Sequence, residues 1–261
     1  MLKGLYTAWT GMVNEQNRMD IMTNNLANAS TVGFKKEGST SQAFDDVLAL
    51  KIKDRSMGDE RIVQPLGYNS PGVKIGENYT DFTQGSFRIT ENTYDLALAG
   101  EGFFAIEFTN KAGETSTMYT RAGQFTLTND GYLVNENGDY VLDVNNNRIQ
   151  VNTLLDSRID NDGIIWQNDA QVAQIQVADF EDYNYLEKYG ETYFRPVEGA
   201  ALTQANAEVK SGWLEMSNVQ IVKEMVNMIT ITRAYESNQK IIQTYDSSLE
   251  IAVTQLGRLQ G

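Results

Sequence analysis

From Ser217 to Leu259 the chain runs without a proline, and without a glycine before Gly257. No other stretch limits the fold so tightly. Ile221, Met225, Met228, Thr232, Tyr235, Gln239, Ile242, Asp246, Leu249, Val253 and Leu256 follow one another at alternating spacings of four and three. This spacing predicts one long helix whose seam is buried as in a coiled coil. Ser217 stands where an N-cap is expected. About 40 residues at ~1.5 Å each make a rod of roughly 60 Å, too long for a compact domain of this chain's size to enclose. Thr232, Gln239 and Asp246 put polar groups into the seam, which lowers stability but fixes register and partner.

A second helix with the same spacing opens the chain. Leu2, Leu5, Trp9, Met12, Gln16, Met19, Thr23 and Leu26 predict a helix over about residues 3–28. Two such ends make either an ordinary two-helix core or a stalk from which the middle projects. The class expected is α+β: long N- and C-terminal helices packing as a coiled-coil stalk, with an antiparallel β-rich domain inserted between them. The limits expected are residues 1–30 for the first helix, 31–67 for a connecting arm, 68–209 for the β-domain and 210–261 for the second helix. Residues 35–68 concentrate their apolar side chains at Phe44, Val47 and Leu48, which reads as a short helical turn followed by an extended arm or flexible linker. Gln64-Pro65-Leu66-Gly67 reads as a turn.

The charge is uneven. The formal net charge is −14; residues 37–208 hold 12 Lys/Arg against 28 Asp/Glu, while both ends are nearly neutral. Neutral helices can pack against copies of themselves, and an acidic insert stays soluble. Nucleic acid is not an expected partner, because no basic stripe is present. The chain has neither Cys nor His, which removes thiol and imidazole chemistry, disulfides and the usual zinc ligand sets. No apolar run approaches the length of a membrane span, and Met1–Thr10 lacks the apolar core of a cleavable signal.

In the middle, Leu96 and Leu98 alternate with small residues, and Phe104, Ile106 and Phe108 alternate with Ala105 and Glu107. Phe125 and Leu127, Tyr132–Val134, Tyr140–Leu142, Ile164–Trp166, Val172–Ala178 and Thr192–Arg195 are further strand-like runs. Asn129-Asp130-Gly131 and Asn137-Gly138-Asp139 read as hairpin turns, giving an antiparallel sandwich or partly closed barrel. Gly199–Ala207 returns the chain towards Gly212 and Trp213. Asp143-Val144-Asn145-Asn146-Asn147 opens like a calcium loop, but Arg148 and Leu154 replace the required Gly and Glu. Asp160-Asn161-Asp162-Gly163 reads as a tight turn. Neither a nucleophile elbow nor a phosphate-cradling loop is found, so no catalytic residue, metal ligand or cofactor is expected.

Four blocks carry a resemblance. Asn24-Asn25-Leu26-Ala27-Asn28 with Thr31-Val32-Gly33-Phe34-Lys35 resembles the N-terminal signature of the bacterial flagellar rod and hook proteins. Leu214-Glu215-Met216-Ser217-Asn218-Val219 and Arg233-Ala234-Tyr235-Glu236-Ser237-Asn238-Gln239-Lys240 resemble the C-terminal one. Asp95–Phe104 and Tyr119–Phe125 are similar to the central blocks. The resemblance implies an axial, non-enzymatic subunit of the flagellar basal body, assembling with itself and with other rod and hook subunits. It also implies export by the flagellar type III apparatus, without a cleaved signal or membrane insertion, into the periplasm or cell-wall zone. A hook-type subunit is the alternative within the family; outside it, a secreted cell-wall-binding or cell-wall-degrading protein. Gln64-Pro65-Leu66-Gly67 loosely resembles the distal-rod type, whereas Thr232 departs from the usual Gln, so distal and proximal types both stay open. The assembly interface expected comprises Leu5, Trp9, Met12, Met19, Asn25, Leu26, Asn28, Gly33, Phe34, Leu214, Ser217, Asn218, Val222, Met225, Ile229, Arg233, Tyr235, Glu236, Ile242 and Leu249. Gly33 is expected at positive φ, governing the turn out of the first helix independently of the β-domain.

Overall fold

The uninterrupted, periodic ends form the two helices expected, α1 (Leu2–Ala27) and α2 (Ile221–Arg258). The computed structural model describes residues 2–53, 62–70, 72–111 and 113–258; the side chains of Leu2 and Leu256, and residue 259, lie outside the described residues. Contacts divide the chain into a helical unit (Met1–Asn24, Glu37–Tyr79, Val222–Gly261) and a β-unit (Asn25–Lys36, Thr80–Ile221). The turn after α1, Asn25–Lys36, is grouped with the strands.

α2 begins four residues later than the sequence implied. Ser217 Oγ accepts a bond from Val219 N at 3.3 Å, a local turn that competes with helix initiation. Ser217 is therefore not the helix cap.

Within the helical unit, α1 and α2 run antiparallel. Gly4 faces Tyr245, and a β-carbon at Gly11 would stand 3.0 Å from Asn238 Nδ2. Thr232 Oγ1 lies 4.0 Å from Met19 Sδ. The inward face differs by one residue in each heptad from the seam read in the sequence. Leu5, Met12, Met19 and Leu26 keep their places, as do Met228, Tyr235 and Ile242. Trp9, Gln16 and Thr23 face solvent, and Ala8, Glu15 and Met22 are more enclosed. On α2, Glu224, Ile231, Asn238, Tyr245 and Ala252 are likewise more enclosed than Met225, Thr232, Gln239, Asp246 and Val253. Gly4, Ala8 and Gly11 form a small-residue face on α1, and it is there that bulky Tyr245 finds room.

The stretch after the β-unit's first turn is stranded, not a helical turn and an arm. β1 (Lys36–Ala43) pairs with β4 (Val73–Asp81), and β2 (Val47–Lys53) with β3 (Ile62–Asn69). Phe44 donates its N–H to Gly72 O at 3.0 Å in irregular backbone. Gln64–Gly67 lies inside β3, where the register slips between Ala49 and Leu50. A bulge of this kind accommodates a proline that has no N–H to give the ladder.

The β-unit contains β5 (Phe87–Ile89), β6 (Leu96–Gly100), β7 (Phe103–Thr109), β8 (Thr115–Thr120), β9 (Phe125–Leu127), β10 (Leu133–Asn135) and β11 (Tyr140–Val141). β12 (Ser157–Ile159), β13 (Ile164–Gln167), β14 (Ala170–Gln174), β15 (Val177–Phe180), β16 (Leu186–Tyr189) and β17 (Tyr193–Pro196) follow, then β18 (Leu202–Gln204), β19 (Ala207–Ser211) and β20 (Trp213–Glu215). The largest sheet has the order β16-β17-β8-β7-β11-β10-β9, with β15 beside β7 and β18 beside β15. β12-β13-β14, β19-β6 and β20-β5 form smaller antiparallel sheets. Gly131 and Gly138 take positive φ in the two hairpin turns.

β7 departs from a simple inside–outside alternation. Phe104 packs with Leu96, Leu98, Phe125 and Leu133 on one face; Phe103 and Ala105 pack with Tyr119, Phe180 and Phe194 on the other. Both faces of this strand are core, so its small residue, Ala105, is a packing partner rather than a solvent position.

Candidate assembly joint

Three of the sequence blocks, far apart in the chain, meet at one carboxylate. β20 ends at Glu215, which is fully buried. Its Oε1 accepts from Lys35 Nζ at 2.7 Å and from Gly85 N at 3.0 Å; its Oε2 accepts from Arg121 Nη1 at 3.4 Å. Its backbone oxygen accepts from Gly33 N at 2.8 Å. Lys35 Nζ also donates to Thr83 O at 2.9 Å. Lys35 and Arg121 are themselves almost wholly buried. Burial pulls the Lys35 ammonium below the usual lysine range, and the neighbouring Glu215 carboxylate pulls it back only in part.

Arg121 is the least well held of the three. Its Nε has no hydrogen-bond partner among the described residues, and its guanidinium carbon lies 5.2 Å from the Phe103 ring centroid. Two cations thus share one carboxylate, and removing that carboxylate leaves both uncompensated.

Asn218 continues the cluster. Its Oδ1 accepts from Lys36 N at 2.8 Å, and its Nδ2 donates to Asp81 O at 2.7 Å and to Thr83 Oγ1 at 3.1 Å. Gly33 has φ +69°, and a β-carbon there would strike the backbone at Arg121 and Ala122. The positive φ is as expected. The independence from the β-domain is not, because the turn is packed into that unit.

Above the joint lies a cleft of about 320 Å³, lined by Asn28, Thr31, Gln124, Asn137, Tyr189 and Glu191 among others. Asn28 Nδ2 donates to Glu191 Oε2 at 2.8 Å and its Oδ1 accepts from Thr31 Oγ1 at 3.0 Å. At its wall, Tyr193 Oη donates to Asp139 Oδ2 at 2.5 Å and accepts from Asn137 Nδ2 at 2.7 Å. Burial, then the Asp139 carboxylate, push this phenol far above its ordinary range, so it stays a donor and does not become a base. Among the described residues, no group of three or more Asp or Glu is placed to hold a metal ion.

The expected interface residues fall into three groups. Asn25, Gly33, Phe34, Leu214 and Ser217 are buried in the β-unit, where Lys188 Nζ stands 4.0 Å from the centroid of the Phe34 ring; their side chains cannot meet a neighbour directly. Trp9, Val222, Met225, Ile229, Arg233, Glu236 and Leu249 are exposed on the helices, Val222 by 77% and Ile229 by 54%. Leu5, Met12, Met19, Leu26, Tyr235 and Ile242 are half-buried, as are Asn28 and Asn218 in the β-unit. Lys35, Arg121 and Glu215 are absent from the expected set. The signal for them was a charge set among apolar neighbours, as in Val32-Gly33-Phe34-Lys35 and Trp213-Leu214-Glu215-Met216.

Three family descriptions match these regions: "Flagella basal body rod protein" over residues 5–35, "Flagellar hook protein FlgE/F/G D1 domain" over 97–167 and "Flagellar basal body rod FlgEFG protein C-terminal" over 210–256. The flagellar basal-body rod protein FlgG of Bacillus subtilis is 35% identical, over 96% of this chain and 97% of its own length. FlgG of Caulobacter vibrioides is 36% identical, over 98% and 99%. This chain belongs to the flagellar basal-body rod protein family. A further similar member, the flagellar hook-basal body complex protein FlhO of Bacillus subtilis, is 29% identical over 99% of this chain. The N- and C-terminal rod-family matches cover both sides of the joint: Lys35 ends one, and Glu215 and Asn218 stand near the start of the other.

Proposed function

We propose that this chain is a structural subunit of the flagellar basal-body rod, of the FlgG type, with no catalytic activity of its own. The observation that carries this reading is full-length similarity to rod proteins, joined to an apolar stripe left open on α2. Val222, Met225, Val226 and Ile229 follow the spacing of one helix face, and each is about half exposed or more. A contiguous apolar face of this kind is what a helix reserves for another helix.

In this reading the helices of neighbouring subunits pack as coiled coils. Contacts between unlike surfaces, repeated without closure, build a helical tube. The subunit reaches the periplasm or cell-wall zone through the flagellar type III apparatus, and joins itself and other rod and hook subunits to transmit torque around the export channel. None of the described helices is long and apolar enough to cross a membrane.

The test is Val222→Asp/Met225→Asp/Ile229→Asp in a strain lacking the native chain. The expected result is export without incorporation: the protein appears in culture-supernatant immunoblots, is missing from basal bodies, and the cells do not swim in soft agar. Motile cells carrying the variant in their basal bodies would remove the stripe from the assembly surface.

A further inference from the structure

The chain passes between the helical unit and the β-unit four times, at Asn24/Asn25, Lys36/Glu37, Tyr79/Thr80 and Ile221/Val222. Three of these passages converge, on the β-unit side, upon two residues of one short segment. Asn218 binds Lys36 N, the last residue before the second passage, and Asp81 O, just after the third. It also stands three residues before the fourth. Glu215 binds Lys35 and Gly33 on the second passage and Gly85 after the third. Thr83 O is shared, accepting from Lys35 Nζ and, at 3.2 Å, from Asn218 Nδ2.

We infer that Glu215 and Asn218 form a clasp that holds these three passages together, with Glu215 as the positioning residue that fixes where the chain leaves the β-unit. The core does not require such an arrangement. β20 pairs with β5 through its backbone, Trp213 with Ile89, Leu214 with Arg88 and Glu215 with Phe87, so the ladder itself does not call for a carboxylate at position 215. A buried ion cluster adds little net stability over an apolar substitute, but its geometry is demanding, which suits a part whose task is placement. The amide of Asn218 works in the same sense: donor and acceptor are satisfied at once by two different strands.

Partial satisfaction ranks the members. The Glu215 carboxylate accepts from three groups and Arg121 offers one long contact. Loss of Glu215 therefore opens the clasp, and loss of Arg121 leaves it shut.

The clasp itself does not depend on the rod reading; only its consequence in cells does. The test is backbone hydrogen exchange by mass spectrometry on the purified full chain, comparing wild type with Glu215→Gln, Asn218→Ala and Arg121→Met. Glu215→Gln should raise exchange at least tenfold over residues 33–36 and 81–86, and Asn218→Ala should do so around Lys36. Residues 96–106 and 133–141 should stay protected in both, and Arg121→Met should resemble wild type. Should Glu215→Gln fail to fold, the triple change Lys35→Met/Arg121→Met/Glu215→Gln removes the stranded charges. That variant should regain the wild-type unfolding midpoint while its passages still exchange fast. A merely structural role would restore both together, and that outcome overturns the clasp, as does uniform loss of protection or none. In cells, Glu215→Gln should halve the swim diameter or worse. A motile Glu215→Gln strain whose passages exchange fast would retain the clasp and refute its part in the rod.

Discussion

The two units spend their apolar residues in opposite ways. In the β-unit, Phe103, Phe104, Phe125, Phe194 and Ile106 are fully enclosed, and β7 is core on both faces. In the helical unit, Trp9, Val222, Met225, Val226, Ile229, Ile251 and Val253 are about half exposed or more, and only Ala8 and Ile231 are enclosed aliphatic side chains among the described residues. The β-unit has a closed core and exposes apolar side chains such as Leu154, Ile89 and Leu202 from separate strands and loops; the helical unit has little enclosed core and carries most of its exposed apolar residues along α2. The same chemistry thus means internal stability in one place and capacity for association in the other.

Substitutions that unfold one unit and spare the other test this contrast. The largest effect on folding is expected from Phe104→Ala, which removes a fully buried ring that meets Phe125 at a centroid distance of 5.2 Å. A loss of about 3–5 kcal/mol is the ordinary range for such a cavity, read as a lower urea midpoint of the β-strand transition with the helical signal unmoved. A loss below about 1 kcal/mol would mean that this core is looser than its packing indicates.

Gly33→Val comes next. A β-branched residue at φ +69° meets the backbone at Ala122, and the dihedral alone costs about 1–3 kcal/mol. The urea midpoint of the β-strand transition should fall. An unchanged midpoint with failed assembly would instead restore the view that this turn acts apart from the strands.

Alkaline pH should produce a smaller, graded loss. The phenols of Tyr119, Tyr183 and Tyr193 are all raised from the ordinary value of 10.0, chiefly by burial. A group whose folded pKa is raised stabilises fully below its unfolded pKa and ceases to do so as pH climbs towards the folded value. Stability should therefore decline above pH 10. Lys35, lowered by burial, works against this only up to the ordinary lysine value of 10.5. Tyr193→Phe should flatten the decline in a pH series of thermal midpoints, and an unaltered slope would contradict the assignment.

The smallest effect on folding is expected from Val222→Asp/Met225→Asp/Ile229→Asp. Surface changes stay within about 0.5 kcal/mol each, so the monomer's urea curve should nearly overlay that of wild type. A marked shift would show that this face is already used within the chain.

Much of this contrast was legible beforehand because it rests on local signals. Period 3.6 without breakers gives a helix wherever it occurs, and Asn-Asp-Gly between apolar runs gives a hairpin, as at Gly131. What escaped depended on meetings across the chain. The inward face of α1 was misplaced by one residue in each heptad because Gly4, Ala8 and Gly11 carry no hydrophobic signal, although smallness is what admits Tyr245. The Pro65 turn was wrong because a bulge uses the same residues as a turn. Lys35, Arg121 and Glu215 stand 86 and 94 residues apart in sequence; the apolar neighbours of Lys35 and Glu215 point to burial, but nothing local says that the three meet.

The division of the chain also sets an order of events. The helical unit is assembled from three separate stretches, the last of which begins at Val222. Asn238 can find Gly11, and Tyr245 can find Gly4, only after more than 200 intervening residues have been made and released. Contacts of such high sequence separation form slowly, since a long loop must close before any of them is rewarded. The β-unit needs nothing beyond Ile221, so its strands can settle first. A chain delivered end to end through a narrow passage would therefore keep its two helices apart until the final stretch emerged.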